Sequence, residues 1–341
     1  MIRHLHTSRI LFIIMAITLL SCKKDNEGDD DSNYMVGNLS FTLSQYLTTG
    51  QEIRLSATGI TEPEEGLVYQ WYTTGFSVDS LTGQDITLFA PTEIGNYSVS
   101  LKVTHSDYVT KSQIKSVIVI NPALEESYSG VINGPYSLID ERDGNIYHYK
   151  QIGNLFWFTS NLQFEGAGNP YNRELALSPI FGVLYTWNEA TGGVTANGLG
   201  KGPTGVCPAG WSVPTNEDWE DLAIALNGSP IDFEKEWKGV GEKLAANARI
   251  NGSNIWKYSP NNLKNNTSEW NALPGGSTSN KYKSFSNINQ YGFWWSSTQK
   301  DLSKSYYRYI HFDLPDFPYN YSDKEYFGAS VRCVRLIEKS N

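Results

Sequence analysis

The sequence predicts a multidomain chain, an all-β segment followed by an α+β segment, on three observations. Across residues 38–121, short alternating apolar runs are separated by turn residues. Beyond a junction at 123–134 the composition shifts to Asn, Gly, Trp and Tyr with short, irregular strands. Within that second stretch one helix stands out at residues 214–228.

In the first segment, residues 53–57, 67–72 and 97–103 read as strands, the last with clean alternation. Thr82-Gly83, Pro91-Thr92 and Gly95-Asn96 supply turns between them. Gly95-x-Tyr97 entering a strand, with Trp71 mid-strand upstream, resembles an immunoglobulin-like or polycystic-kidney-disease-type sandwich over 37–122. The inter-sheet cysteine pair of antibody domains is absent, so Trp71 is expected as core packing and the domain as a spacer.

The helix of the second segment opens at Pro214-Thr215, where Thr215 and Asp218 have capping-box spacing. Trp219, Leu222, Ala223 and Leu226 form its apolar stripe, and Asn227-Gly228 ends it. A second helix is expected over 240–248.

At the N-terminus, Arg3 and Arg9 precede an apolar run of eleven residues from Ile10 to Leu20. That is the length of a signal-peptide core and too short to span a bilayer interior of about 30 Å. Leu19-Leu20-Ser21-Cys22 resembles a bacterial lipobox, so residues 1–21 are expected to be removed and Cys22 lipidated. Residues 22–36 are polar and acidic, read as a solvated tether. An acidic run soon after such a cysteine resembles the surface-export signal of Bacteroidetes lipoproteins. It implies the outer face of the outer membrane, with membrane contact through the lipid anchor only.

Formal charge is −9, and no cluster of Lys and Arg interrupts it, so nucleic acid is not an expected partner. Ten Trp and 21 Tyr suit either bulky cores or stacking platforms for sugars. Beyond Cys22 only Cys207 and Cys333 remain, and the residues alone allow either a bridge or two buried thiols.

Seven blocks of the second segment carry a family resemblance. They begin with Asp143-Gly144-Asn145-Ile146-Tyr147, Ile152-Gly153-Asn154 and Trp157, then Leu184-Tyr185-Thr186-Trp187. Cys207-Pro208-Ala209-Gly210-Trp211 with Asp218-Trp219 follows, then Asn271-Ala272-Leu273-Pro274-Gly275-Gly276. Tyr291-Gly292-Phe293-Trp294-Trp295-Ser296-Ser297-Thr298, Tyr307-Arg308-Tyr309 and Ser330-Val331-Arg332-Cys333-Val334 complete the set. Residues 135–341 thus resemble the Fibrobacter major paralogous domain family, which implies a C-type-lectin-like fold and a Cys207–Cys333 pairing. An anchor, a sandwich spacer and a terminal module of this kind also resemble the surface glycan-binding proteins of Bacteroidetes polysaccharide-utilisation systems. That likeness implies an outer-membrane glycan transporter and surface hydrolases as partners. The competing functions are a surface adhesin or structural lipoprotein that binds another protein, and a glycan hydrolase.

Catalytic motifs are missing. His105, His148 and His311 are far apart, and no metalloprotease, nucleophile-elbow or phosphate-loop pattern occurs. Asp140-Glu141 and Asp313 with Asp316 read as solvated carboxylates. Trp187-Asn188-Glu189 is the nearest approach to a calcium-lectin strand, without its companion loop, so no metal or cofactor is expected. Trp157, Trp187, Trp211, Trp219 and Trp270 lie within or beside the family blocks and are expected in the core. A polysaccharide, guessed to be a β-glucan, is expected to stack on Trp237, Trp256, Tyr258, Tyr282, Tyr319 and Tyr321, which lie in stretches with little regular structure. Phe317 lies in the same kind of stretch. Trp295 joins them as a strand-borne platform, because neighbours on a strand face opposite ways and only one of Trp294 and Trp295 enters a given core layer.

Overall fold

The computed structural model describes residues 33–231 and 236–338. The expected signal peptide, the expected lipidation site at Cys22 and most of the expected tether lie outside them. Strands dominate, arranged in several sheets. Among the described residues no helix is long and apolar enough to cross a membrane.

The first unit packs two layers of strands. In one, Gly95–His105 lies between Tyr108–Ile120 and Val68–Tyr72, with Ser80–Thr82 beyond. Asn33–Tyr34 and Tyr46–Thr48 run parallel to opposite ends of Tyr108–Ile120. The other layer pairs Val36–Ser40 with Thr58–Glu62 and Glu52–Ser56 with Asp85–Phe89. Alternation decides what faces inward: Val99, Leu101 and Val103 from one layer meet Ile53, Leu55, Ile86 and Leu88 from the other. Trp71 is fully buried among them, edge-on to Phe41, and its indole N–H donates to the Gly83 carbonyl at 2.9 Å. An indole whose polar atom is satisfied buries its whole surface at no hydrogen-bonding cost.

The second unit is wound around a long sheet in the order Tyr185–Thr186, Gly328–Ala329, Gly275–Ser279, Tyr291–Gln299, Lys304–His311, Tyr319–Asp323, with Ser284–Ile288 alongside Gly275–Ser279. A four-stranded sheet joins Tyr136–Ile139, Ile146–Ile152, Leu155–Phe158 and Val334–Leu336, returning the end of the unit to its beginning. The helix Asn216–Ala225 has the expected capping box: the Thr215 hydroxyl accepts from the Asp218 N–H, and the Asp218 carboxylate accepts from the Thr215 N–H. A second box, Thr186 with Glu189, starts the short helix Trp187–Thr191. The helix expected over 240–248 spans only Val240–Leu244. Ala245 leaves it in an extended conformation because its backbone, with that of Ala246, pairs with Ala272. Cys207 and Cys333 are disulfide-bonded, their Cα atoms 5.8 Å apart.

The two units share packed surface. Ile120, the last residue of the first unit's long strand, is buried in a cluster with Tyr171, Leu177, Ile180 and Leu273. The buried Glu174 carboxylate accepts the backbone N–H groups of Gln45 and Tyr46, both at 3.0 Å. Residues 123–134, expected as a junction, are woven into the second unit. Tyr128–Ser129 pairs with Arg249–Ile250, and the Asn271 side chain bonds both backbone groups of Ile132.

Candidate functional site

Four of the seven residues expected to bind glycan are core residues. Trp295 is fully buried, edge-on to Phe327, with its N–H on the Tyr185 carbonyl at 2.8 Å. Trp294 is fully buried too, on the opposite face, donating to Asn161 Oδ1 at 2.8 Å. The strand Tyr291–Gln299 is covered on both sides there, so each tryptophan enters a different core. Trp256 is buried with its N–H on the Ala272 carbonyl, and Trp237 is buried against Phe317, its backbone bridged to that residue. The buried Tyr282 hydroxyl donates toward Leu184 and Glu189, anchoring the Thr186–Glu189 capping box from outside the helix. None of the four offers a ring face to a ligand.

Tyr258, Tyr319 and Tyr321 stay accessible in different degrees. Tyr258 is 80% exposed on its loop. Tyr319 is half-buried, with the Arg308 guanidinium over its ring and Tyr306 beside it. Tyr321 is 40% exposed with the Lys300 ammonium 3.1 Å from its ring centre; that cation holds its phenol below the usual range. Tyr319 and Tyr321 both adjoin Tyr306 on one face of the sheet, but among the described residues no ring contact joins Tyr258 to them, and the three do not form one surface.

A different set of aromatics does. The strands Tyr291–Gln299 and Lys304–His311 pair with Tyr291 opposite His311, Phe293 opposite Tyr309 and Trp295 opposite Tyr307. Period-two alternation puts all six on one face, and the next strand sets Asn320 opposite Tyr307. Trp295 is covered, but further along the hairpin an open groove of about 560 Å³ remains, lined by Tyr291, Phe293, Tyr307, Tyr309 and His311 with Asn287, Asp313, Leu314 and Asn320 at its edges. The rings hold each other in place. Tyr291 stacks on Phe293 with centroids 5.3 Å apart and leans on His311 at 4.4 Å, and Phe293 meets Tyr307 edge-on at 5.5 Å. Rings locked by neighbours lose little further freedom on binding.

The groove's titration states favour a neutral, hydroxyl-rich ligand. Burial pushes the Tyr307 phenol up to about 12, and burial also lowers His311 below its ordinary value, so both are neutral at pH 7. The Ser259 hydroxyl, then the Asn261 amide at 3.0 Å, hold the Asp313 carboxyl below the usual range, so it is an ionised acceptor at the rim. The lining contains no Lys or Arg. Asp313 faces a polyanion with like charge, although Lys257 and Lys264 lie near the rim, and a neutral sugar would meet ring faces and hydrogen-bonding groups.

Asn262 is buried and donates to the His311 and Leu314 carbonyls, so it is not available to a ligand. Asn261 is bound to Asp313, and Gln290 is exposed. Among the described residues no three His, Cys, Asp or Glu side chains gather as metal ligands.

The model of the Fibrobacter succinogenes major domain family matches residues 151–335, more than half of the chain. The chain belongs to that family. The matched span contains every lining residue of the groove and both bridged cysteines. No curated protein matches the chain.

The groove residues were missed in the sequence although their signal is local. Tyr291-x-Phe293-x-Trp295 and Tyr307-x-Tyr309-x-His311 are two strands with aromatics on alternate positions.

Proposed function

We propose that this protein captures a neutral polysaccharide without chemically altering it, as a lipid-anchored protein on the outer face of the outer membrane. The observation that carries the proposal is the open row of Tyr291, Tyr307 and Tyr309 on one sheet face, packed around the buried Phe293 and edged by amide and carboxylate groups. A ring stacked on the apolar face of a pyranose removes both from water. At about 25 cal/mol per Å² each such contact contributes on the order of 1–2 kcal/mol. Two or three contacts then give micromolar to millimolar binding after the cost of immobilising a flexible chain. A β-glucan, with flat equatorial faces, is the ligand class we assign. An outer-membrane transporter and surface hydrolases are the partners that would receive the captured chain. In the same proposal the first unit is an immunoglobulin- or polycystic-kidney-disease-like sandwich, and the second is C-type-lectin-like.

Affinity electrophoresis of the whole chain through native gels containing β-glucans, α-glucans, mannan and pectate tests this. Retardation by at least one neutral glucan and none by pectate is the expected result. Free migration in every gel overturns the proposal.

A further inference from the structure

Arg332 is 1% exposed, and its guanidinium is bound only to neutral groups. Nε donates to Asn161 Oδ1 at 2.8 Å, Nη1 to the Phe158 and Trp270 carbonyls, and Nη2 to the Asn271 carbonyl at 2.7 Å, while the plane lies 3.9 Å from the Trp270 ring centre. No carboxylate pairs with it among the described residues, and its second Nη2 hydrogen has no partner there. A buried charge without a counter-charge costs several kcal/mol, more than neutral carbonyls ordinarily return. Burial accordingly lowers Arg332 to about 9, with no acidic group opposing the shift except the Tyr128 phenol.

Beside this cation lies a cavity of about 150 Å³, separate from the aromatic groove. Arg332, Asn161, Asn271 and Thr159 form its polar wall, and Ile180 and Leu273 its apolar one. A cavity of that size accepts a ligand of roughly six non-hydrogen atoms. We propose that it binds a small monocarboxylate, the carboxylate on the Arg332 guanidinium and the short carbon chain against Ile180 and Leu273. The remaining Nη2 hydrogen can donate to one carboxylate oxygen, and a single negative charge completes what the protein leaves unpaired. This proposal is independent of the glycan groove and stands or falls separately.

The test is isothermal titration of the whole chain with acetate and lactate, against acetamide and lactamide, at constant ionic strength held with sodium chloride. Saturable one-to-one binding of the acids, with their amides weaker by about tenfold or more, is the expected result. Glucuronate, about twice the size that the cavity accepts, should not bind, and binding of glucuronate comparable to that of acetate overturns the proposal. Arg332→Gln should abolish binding. Because that change can also unfold the core, Ser160→Phe, at the less buried edge of the cavity, should block binding while keeping the ligand-free melting temperature. No saturable binding by the wild-type chain, equal binding of acid and amide, or unchanged acetate binding in a folded Ser160→Phe variant each overturns the proposal.

Discussion

The stretch from 236 to 290 and the hairpin that follows it hold their aromatic rings in opposite ways. The first is mostly irregular, yet Trp237, Trp256, Trp270 and Tyr282 are buried. The second is regular sheet, yet Tyr291, Tyr307 and Tyr309 border an open groove. Irregular backbone can be core only if its polar groups find partners, and asparagines supply them here. Asn262 holds the His311 and Leu314 carbonyls, while Asn271 holds those of Ile132 and Thr159. Asn266 and Asn271 also adopt left-handed backbone, which asparagine tolerates better than most residues. An Asn-rich, Trp-bearing loop is therefore not a binding surface by composition. Its asparagines are the hydrogen-bonding frame of a core.

The largest expected effect removes the closure that serves both regions. Replacing Cys207 and Cys333 together by Ser opens a loop of 126 residues, and the chain-entropy relation gives a loss of about 4–5 kcal/mol. Urea unfolding measures it, and a loss below about 1 kcal/mol would mean that packing alone closes the unit. Next, Trp256→Ala tests whether the irregular stretch is core, with an expected cost of about 3–5 kcal/mol. A melting temperature near that of the wild type would return Trp256 to the surface.

A smaller effect is a pH dependence at the capping box. Burial raises Asp218 from 3.8 to about 6 in the folded protein, against hydrogen bonds from Gly200 and Thr215 that oppose the shift. A raised folded-state value means that the folded form holds the proton more tightly. The stabilisation from Asp218 is therefore complete below 3.8 and is lost as pH rises through about 6. Asp218→Asn, which does not titrate, should flatten that fall in unfolding free energy. An unchanged slope would assign the dependence to another group.

Much of the fold was legible in the sequence because its signals are local. Thr215 and Asp218 fix a helix start by spacing, and alternation at 97–103 fixes which side chains of that strand face the core. The helix over 240–248 was over-read because Ala245 and Ala246 are good helix formers, and only their distant pairing with Ala272 stops it. The site was less legible for the same reason. Sequence shows that Trp294 and Trp295 point opposite ways, but not that remote segments cover both faces. It likewise places Tyr307 and Tyr309 on one face without showing that the cover stops short of them.

The most direct measurement of the central claim is isothermal titration of the most strongly retarding neutral glucan into the wild-type chain, Tyr309→Ala and Tyr321→Ala. Tyr309 lines the groove, whereas Tyr321 pairs opposite Tyr306 on the other face of the sheet. The account expects Tyr309→Ala to weaken binding by roughly 5- to 30-fold, Tyr321→Ala to leave it unchanged, and a chelator to have no effect. Loss of binding in Tyr321→Ala with full binding in Tyr309→Ala would contradict it.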